Sequence, residues 1–194
     1  MDIPVIFFTA KPWLEDVQSK QLDLQEIIAN YPDFPKRGIL FRDINPVFRR
    51  NDALNYITDE LYRAFSNSKV DAIAGIESRG FVPATALALK FGKGMIMIRK
   101  AGKLPGKTRK KEYDIEYGSA VMELQDDAIQ SGQHVLIADD LIATGGTAMA
   151  AAKLVEESGG KVTGFAFIIE LAGLNGAERL RKMGYNIHSL VVYH

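Results

Sequence analysis

The sequence of 194 residues contains no cysteine, which excludes disulfide bonds, zinc–thiolate sites, iron–sulfur clusters and a cysteine nucleophile. It has no excess of charge, because 24 basic residues balance 24 acidic ones. Proteins that bind duplex nucleic acid over a broad face usually carry a basic surplus. No apolar run approaches the roughly 20 residues that a membrane-spanning helix needs. We therefore expect a cytoplasmic protein whose partners include neither nucleic acid nor a membrane.

The composition that remains is typical of an ordinary globular protein, with 47% apolar and 25% charged residues. This length predicts a single domain over residues 1–194. The apolar start of the chain is interrupted by Pro4 and Pro12, and it has Asp2 where a signal peptide carries basic residues. We interpret residues 1–22 as an N-terminal extension of unknown role.

Short apolar runs alternate with helical patterns along most of the chain. Apolar spacing predicts helices over residues 51–65 and 81–91, and buried strands that end near Ile76, Ile98 and Ala138. This alternation is typical of an α/β fold, in which helices flank a central, mainly parallel sheet. Ligands in such folds bind beyond the carboxyl ends of the strands, so a site is expected after Ile76, Ile98 and Ala138.

The segment ADDLIATGGT carries the strongest chemical signal. Two adjacent carboxylates, Asp139 and Asp140, follow a predicted buried strand. A tight turn then leads into an alanine-rich helix, and it consists of Ala143, Thr144, Gly145, Gly146 and Thr147. Glycine backbone, threonine hydroxyls and a helix N-terminus suit a phosphomonoester, while carboxylates accept hydrogen bonds from a pair of sugar hydroxyls. The segment predicts a ribose-phosphate site; the alternative is a strand-end cap followed by a plain turn.

Other motifs for phosphate binding or nucleophilic catalysis fail. G-x-G-x-x-G is missing from the sequence. Gly75 and Gly80 have P-loop spacing, but Phe81 stands where the lysine belongs. Ile76 replaces the first glycine of a G-x-S-x-G elbow around Ser78. These failures leave the ADDLIATGGT segment as the phosphate site to pursue.

A basic stretch follows the strand that ends near Ile98. Seven of the thirteen residues from 99 to 111 are basic, with glycine and proline among them, and alternating polar and apolar residues come next. Residues 99–120 are predicted to form a flexible lid that includes a hairpin. A solvated surface loop or an RNA-contact tract is the alternative.

Five blocks of sequence occur in a familiar order: PDFPKRGILFRDINP, GIESRGF, RKAGKLPG, IEYG and ADDLIATGGT. They resemble the motifs of type I phosphoribosyltransferases, and more narrowly those of the adenine phosphoribosyltransferase family, from about Asp23 to the C-terminus. The resemblance implies the type I phosphoribosyltransferase fold, with an N-terminal hood. It also implies transfer of the phosphoribosyl group of phosphoribosyl pyrophosphate (PRPP) to N9 of adenine, with AMP and pyrophosphate as products. Mg²⁺ and a homodimer are implied as well.

The resemblance also assigns residue roles. Residues 143–147 hold the ribose phosphate, and Asp139 and Asp140 hold the ribose hydroxyls near a Mg²⁺ that the substrate itself binds, without an assigned protein ligand. The residues expected at pyrophosphate are Ser78, Arg79, Arg99, Lys100 and Lys103. The residues expected to be catalytic are Glu116, Arg79 and Lys103.

The block over residues 32–46 is expected to be the base-recognition hood. There the resemblance implies adenine contacts at Leu40, Phe41 and Arg42, largely through backbone groups. It also implies a cis peptide bond between Glu77 and Ser78. Two alternatives remain: a regulatory protein that kept the PRPP pocket and lost catalysis, and an enzyme for another purine base.

Overall fold

The computed structural model describes residues 21–115 and 118–194. The helices within these ranges are Leu24–Ile27 (α1), Asn45–Phe48 (α2), Asn51–Phe65 (α3), Phe81–Phe91 (α4), Gly146–Glu157 (α5) and Gly176–Lys182 (α6). The strands are Ala29–Pro32 (β1), Leu40–Asp43 (β2), Ala72–Ile76 (β3), Gly94–Lys100 (β4), Thr108–Ile115 (β5), Gly118–Gln125 (β6), His134–Ile142 (β7), Lys161–Leu171 (β8) and Ile187–Tyr193 (β9). In these ranges no helix combines the length and the apolar character needed to cross a bilayer.

A seven-stranded sheet forms the centre of the molecule, in the order β5-β6-β4-β3-β7-β8-β9. Strands β4, β3, β7, β8 and β9 are parallel, whereas β5 and β6 form an antiparallel hairpin that joins the edge of β4. One apolar core lies between the sheet and helices α3 and α4, and the other lies beneath α5 and α6. The predicted α/β fold with a mainly parallel sheet and helices on both faces is confirmed.

Helices α3 and α4 have the bounds that the apolar spacing predicts. The prediction that Asp139 and Asp140 follow the end of their strand is wrong, because β7 continues to Ile142. Pairing with the short neighbour β3 stops at Ala138, but the long strand β8 keeps pairing as far as Ile142. The two carboxylates therefore lie inside a strand that has lost its partner on one side.

Strands β1 and β2 form a separate two-stranded sheet within the predicted hood. The rings of Phe34 and Phe41 meet edge to face, with their centroids 5.1 Å apart. The peptide bond between Phe34 and Pro35 is cis. This segment is therefore an ordered hairpin that an aromatic pair closes.

The hairpin predicted in the basic stretch is present as β5 and β6. Three of its basic residues, Arg109, Lys110 and Lys111, lie in β5 rather than in a loop. The loop itself is short and joins Lys100 in β4 to Thr108 in β5.

Candidate active site

The carboxyl ends of β3, β4 and β7 bring three of the predicted blocks together around one cavity of about 310 Å³. The predicted site residues that line it are Ser78, Arg79, Lys100, Asp139, Asp140, Ala143, Thr144, Gly145, Gly146 and Thr147. Arg99, Lys103 and the hood residues lie outside its lining. Glu116, the expected catalytic glutamate, lies outside the described residues.

The loop over residues 143–147, which we call the phosphate cradle, has a compact backbone built around Gly145. This residue has φ +84°, which favours glycine, and it immediately precedes α5. The cradle packs directly on Gly176, whose backbone N–H donates to the Ala143 carbonyl at 3.1 Å. A Cβ on Gly176 would lie 2.2 Å from that oxygen and 2.6 Å from the Gly145 nitrogen. No side chain can therefore be inserted at residue 176 without displacing the cradle.

Sequence reasoning missed Gly176. The signal in the sequence is the Asn175–Gly176 dipeptide, which marks a turn after β8. That signal does not indicate which neighbouring loop the glycine supports, because the contact joins segments about thirty residues apart.

The carboxylate pair lies between the cradle and the loop that follows β3. The Asp140 side chain is 9% exposed, and its Oδ2 lies 2.9 Å from Nε of Arg79. Asp139 accepts a hydrogen bond from the Asp140 backbone N–H at 2.9 Å. Burial, and then the charge of Asp140, raise the pKa of Asp139 well above its ordinary value. Burial also raises the pKa of Asp140, although Arg79 opposes this rise. The site therefore favours ligands that bring hydrogen-bond donors or positive charge to these oxygens.

The loop from Glu77 to Gly80 closes tightly against the carboxylates. The peptide bond between Glu77 and Ser78 is cis, as the resemblance implies. A Cβ on Gly80 would lie 2.6 Å from Oδ1 of Asp139 and 2.6 Å from the Ile76 carbonyl oxygen. Glycine at residue 80 therefore lets the Arg79 loop approach Asp139 within β7.

At the base of the lid (residues 99–104), Glu77 holds two of the basic residues, a role that its sequence position does not reveal. Its Oε2 accepts hydrogen bonds from Nε of Arg99 at 2.9 Å and from the backbone N–H of Lys100 at 3.1 Å. Arg99 also donates through Nη1 to the Lys103 carbonyl at 3.1 Å. Arg99 thus points toward Glu77 and the lid backbone, while the Lys103 side chain is exposed.

The hood approaches the cavity through Phe41. The guanidinium carbon of Arg79 lies 5.5 Å from the centroid of the Phe41 ring, within the range of a cation–π contact. Arg42 stacks on Tyr193 at 3.9 Å and donates a hydrogen bond to the Asn30 side chain, so its side chain supports the hood. Leu40 is half exposed, at 48%. Of the three predicted base contacts, Phe41 therefore meets Arg79 of the cavity lining, whereas the Arg42 side chain contacts Asn30 and Tyr193.

Comparisons with known proteins agree with this arrangement. The sequence profile of the phosphoribosyl transferase domain family matches residues 47–191. A relative from Cenarchaeum symbiosum, named adenine phosphoribosyltransferase, is 56% identical over 172 residues, which cover 89% of this chain and 100% of the relative.

Solved structures give the same result. The crystal structure of adenine phosphoribosyltransferase from Thermoanaerobacter pseudethanolicus has a TM-score of 0.84 and 46% identity, and the match covers 87% of this chain and 97% of that one. The Saccharomyces cerevisiae enzyme, in complex with an imino-altritol bisphosphate and adenine, has a TM-score of 0.80 and 42% identity, with 86% and 96% of the chains covered. This chain accordingly belongs to the adenine phosphoribosyltransferases, a group of enzymes within the phosphoribosyl transferase domain family.

Proposed function

We propose that this enzyme transfers the phosphoribosyl group of PRPP to N9 of adenine and releases AMP and pyrophosphate. The observation that carries the proposal is the meeting of three groups around one cavity of about 310 Å³: the phosphate cradle, the carboxylate pair and the Arg79 loop. Adenine in the yeast structure supports the choice of base.

PRPP binds across the site, with its 5′-phosphate at the cradle and its pyrophosphate at the Arg79 loop. The 5′-phosphate accepts hydrogen bonds from the cradle backbone and the hydroxyls of Thr144 and Thr147, at the positive end of α5. The ribose hydroxyls donate to Asp139 and Asp140; Asp140 is buried, so water competes little for its oxygens. The pyrophosphate then faces Ser78, Arg79 and Lys100, which line the other side of the cavity.

In the reaction, N9 of adenine attacks the anomeric carbon while the bond from that carbon to the pyrophosphate oxygen breaks. The anomeric centre acquires oxocarbenium character, and the proton of the attacking nitrogen must leave. Glu116 accepts or shares that proton. Arg79 and Lys103, with Arg99 and Lys100, stabilise the negative charge that grows on the pyrophosphate as its bond breaks.

The residues present fit a Mg²⁺ ion that is bound together with the substrate. Asp139 and Asp140 are two buried carboxylates with raised pKa values, and Arg79 is the cation beside them, so a further cation is favoured there. Such an ion would keep waters and substrate phosphates among its ligands. When bound, Mg²⁺ would neutralise charge on the leaving pyrophosphate.

Specificity for adenine comes from the hood over residues 32–46. Backbone carbonyls near Leu40 and Arg42 accept hydrogen bonds from the exocyclic amine of adenine, while Phe41 packs nearby. A 6-oxo purine would set an acceptor against an acceptor, which costs about 1–3 kcal/mol for each buried group left unpaired. Residues 99–120 act as the lid over the pyrophosphate, and residues 1–22 remain an extension of unknown role.

We propose that the enzyme acts as a homodimer. Exposed apolar side chains on α4 and the neighbouring strand β4 support this proposal. Val82 and Leu89 on α4 are 37% and 79% exposed, and Met97 on the neighbouring strand β4 is 48% exposed. A second copy that covers this face would remove all three from water. Sedimentation of the purified enzyme checks this, because Leu89→Glu should shift a dimer toward the monomer.

The decisive experiment follows pyrophosphate release from PRPP and Mg²⁺ with adenine, hypoxanthine or guanine as the base. Release with adenine alone is the expected result. Release with hypoxanthine or guanine would contradict the assignment of the hood. No release with any base, in a protein that still binds PRPP by calorimetry, would favour a regulatory protein that lost catalysis.

A further inference from the structure

Glu123 is a buried carboxylate outside the cavity lining, and it lies beneath the base of the lid. It is 2% exposed and stands in β6, between Arg99 of β4 and Lys110 of β5 in the register of the sheet. Its Oε1 accepts hydrogen bonds from the backbone N–H groups of Lys103 and Leu104, each at 2.9 Å. All of these partners belong to the lid or its hairpin.

Hydrogen bonds keep Glu123 charged in this buried position. The Thr108 hydroxyl donates to its Oε2 at 3.2 Å, in addition to the two backbone donors. Burial raises the pKa of Glu123, but the hydrogen bonds from Leu104, Lys103 and Thr108 outweigh burial and bring the pKa below its ordinary value. An ionised acceptor holds amide donors more strongly than a neutral one does, so Glu123 binds the backbone N–H groups of Lys103 and Leu104 strongly.

Glu123 and Glu77 fix the same short segment from two sides. The N–H of Lys103 is held by Glu123, and its carbonyl is held by Arg99. Arg99 is in turn held by Glu77, next to the cis peptide bond that opens the Arg79 loop. Both peptide groups of Lys103 are therefore anchored, whereas its side chain is exposed.

We infer that Glu123 is a positioning residue for pyrophosphate. It anchors the backbone of Lys103, so that the side chains of Lys103 and Arg99 are already positioned when PRPP binds. The inference rests on the proposed function, in which these two cations meet the pyrophosphate. Without the anchor, PRPP would have to order the lid base itself, and that conformational cost would weaken its binding. AMP has the phosphate, the ribose and the base but no pyrophosphate, so its binding would be spared.

The test compares the dissociation constants of PRPP with Mg²⁺ and of AMP, measured by calorimetry on the full chain. Glu123→Leu should weaken PRPP binding about tenfold to a hundredfold and change AMP binding less than twofold. Glu123→Gln keeps an oxygen acceptor for the two amides, so it should recover PRPP binding to within about fivefold of the wild type. Thr108→Val removes one donor and should weaken PRPP binding by about twofold to fivefold.

The control is Asp126→Asn, which removes a carboxylate that pairs with Arg109 of the same hairpin at 2.8 Å and keeps the backbone hydrogen bond from Asp126 to the Lys107 carbonyl. It should leave both dissociation constants unchanged. If Glu123→Leu does not fold, the graded losses of Glu123→Gln and Thr108→Val for PRPP alone carry the inference. Equal losses for AMP and PRPP, or no loss of either, would overturn it. A wild-type protein that binds AMP but not PRPP would overturn the proposed function first.

Discussion

Two regions at and beside the cavity, both of which the proposed function assigns to anions, are built in opposite ways. The phosphate cradle is made of backbone, at the start of α5, and it packs on the backbone of Gly176. The lid base carries its cations on side chains. The carboxylate of Glu77 holds the Arg99 side chain, and the carboxylate of Glu123 holds the Lys103 backbone. Under the proposed function the first region binds the phosphate that stays with the sugar, and the second binds the group that leaves. A closely packed backbone suits the former, while exposed side chains on an anchored backbone suit the latter.

The largest effect should come from the carboxylates between these two regions. Asp139→Asn with Asp140→Asn replaces two charged acceptors, each worth about 1.5–3 kcal/mol, and should lower PRPP affinity by about 10²-fold to 10⁴-fold. Calorimetry with PRPP and Mg²⁺ measures the loss, and a thermal melt checks that the variant is folded. Unchanged affinity would contradict the assignment of these residues to the ribose hydroxyls.

The rigidity of the cradle can be tested at Gly176. Gly176→Ala places a Cβ 2.2 Å from the Ala143 oxygen, so the cradle must shift, and we expect a loss of about 10²-fold in kcat/KM for PRPP. Gly173→Ala is the matched control, because a Cβ there meets nothing within 4 Å. Steady-state kinetics of the two variants give the comparison. Similar activities would show that the cradle tolerates displacement and is not the rigid partner.

The lid base should respond more weakly, because several cations share its task. Lys103→Met removes one exposed charge while keeping the anchored backbone, and it should reduce kcat/KM for PRPP about tenfold. The dissociation constant of AMP serves as the internal control and should stay within twofold. If AMP binding weakens as much as turnover falls, Lys103 does not act on the pyrophosphate.

The smallest effect is expected in the pH dependence of the stability of the folded protein. The folded-state pKa of Asp139 is raised, so its ionisation opposes folding, and stability is lost as the pH rises from the ordinary carboxyl range through that pKa. Asp139→Asn removes this penalty and should raise Tm at pH 8, by about 2–4 °C for each kcal/mol recovered. The gain should shrink toward pH 4, where the wild-type carboxyl is protonated. A Tm difference that does not change with pH would exclude ionisation as its cause.

PRPP affinity should change with pH in the direction opposite to that of stability. Both carboxyls must be ionised to accept two hydroxyls fully, so PRPP affinity should fall as the pH falls through their raised pKa values. At higher pH the ionised carboxylates should therefore bind PRPP more tightly, although their ionisation lowers the stability of the folded protein.

Much of the fold could be predicted because it depends on local periodicity. The bounds of α3 and α4 follow from apolar residues at helical spacing, and buried strands alternate with helices in the manner of a parallel sheet. The cradle could be predicted too, since its glycines, threonines and acids are contiguous in sequence. The catalytic assignment of Glu116 remains a prediction, because residue 116 lies outside the described ranges.

The sequence by itself determined the succession of helices and strands along most of the chain and the composition of the cradle, because both depend on residues that are neighbours along the chain. The tertiary structure decided the extent of β7, which the long partner β8 extends past Ala138. It also decided that Gly176 supports the cradle and that Glu123 holds Lys103. These relations join segments about 20 or more residues apart, and backbone atoms from distant turns meet only when the sheet brings them together.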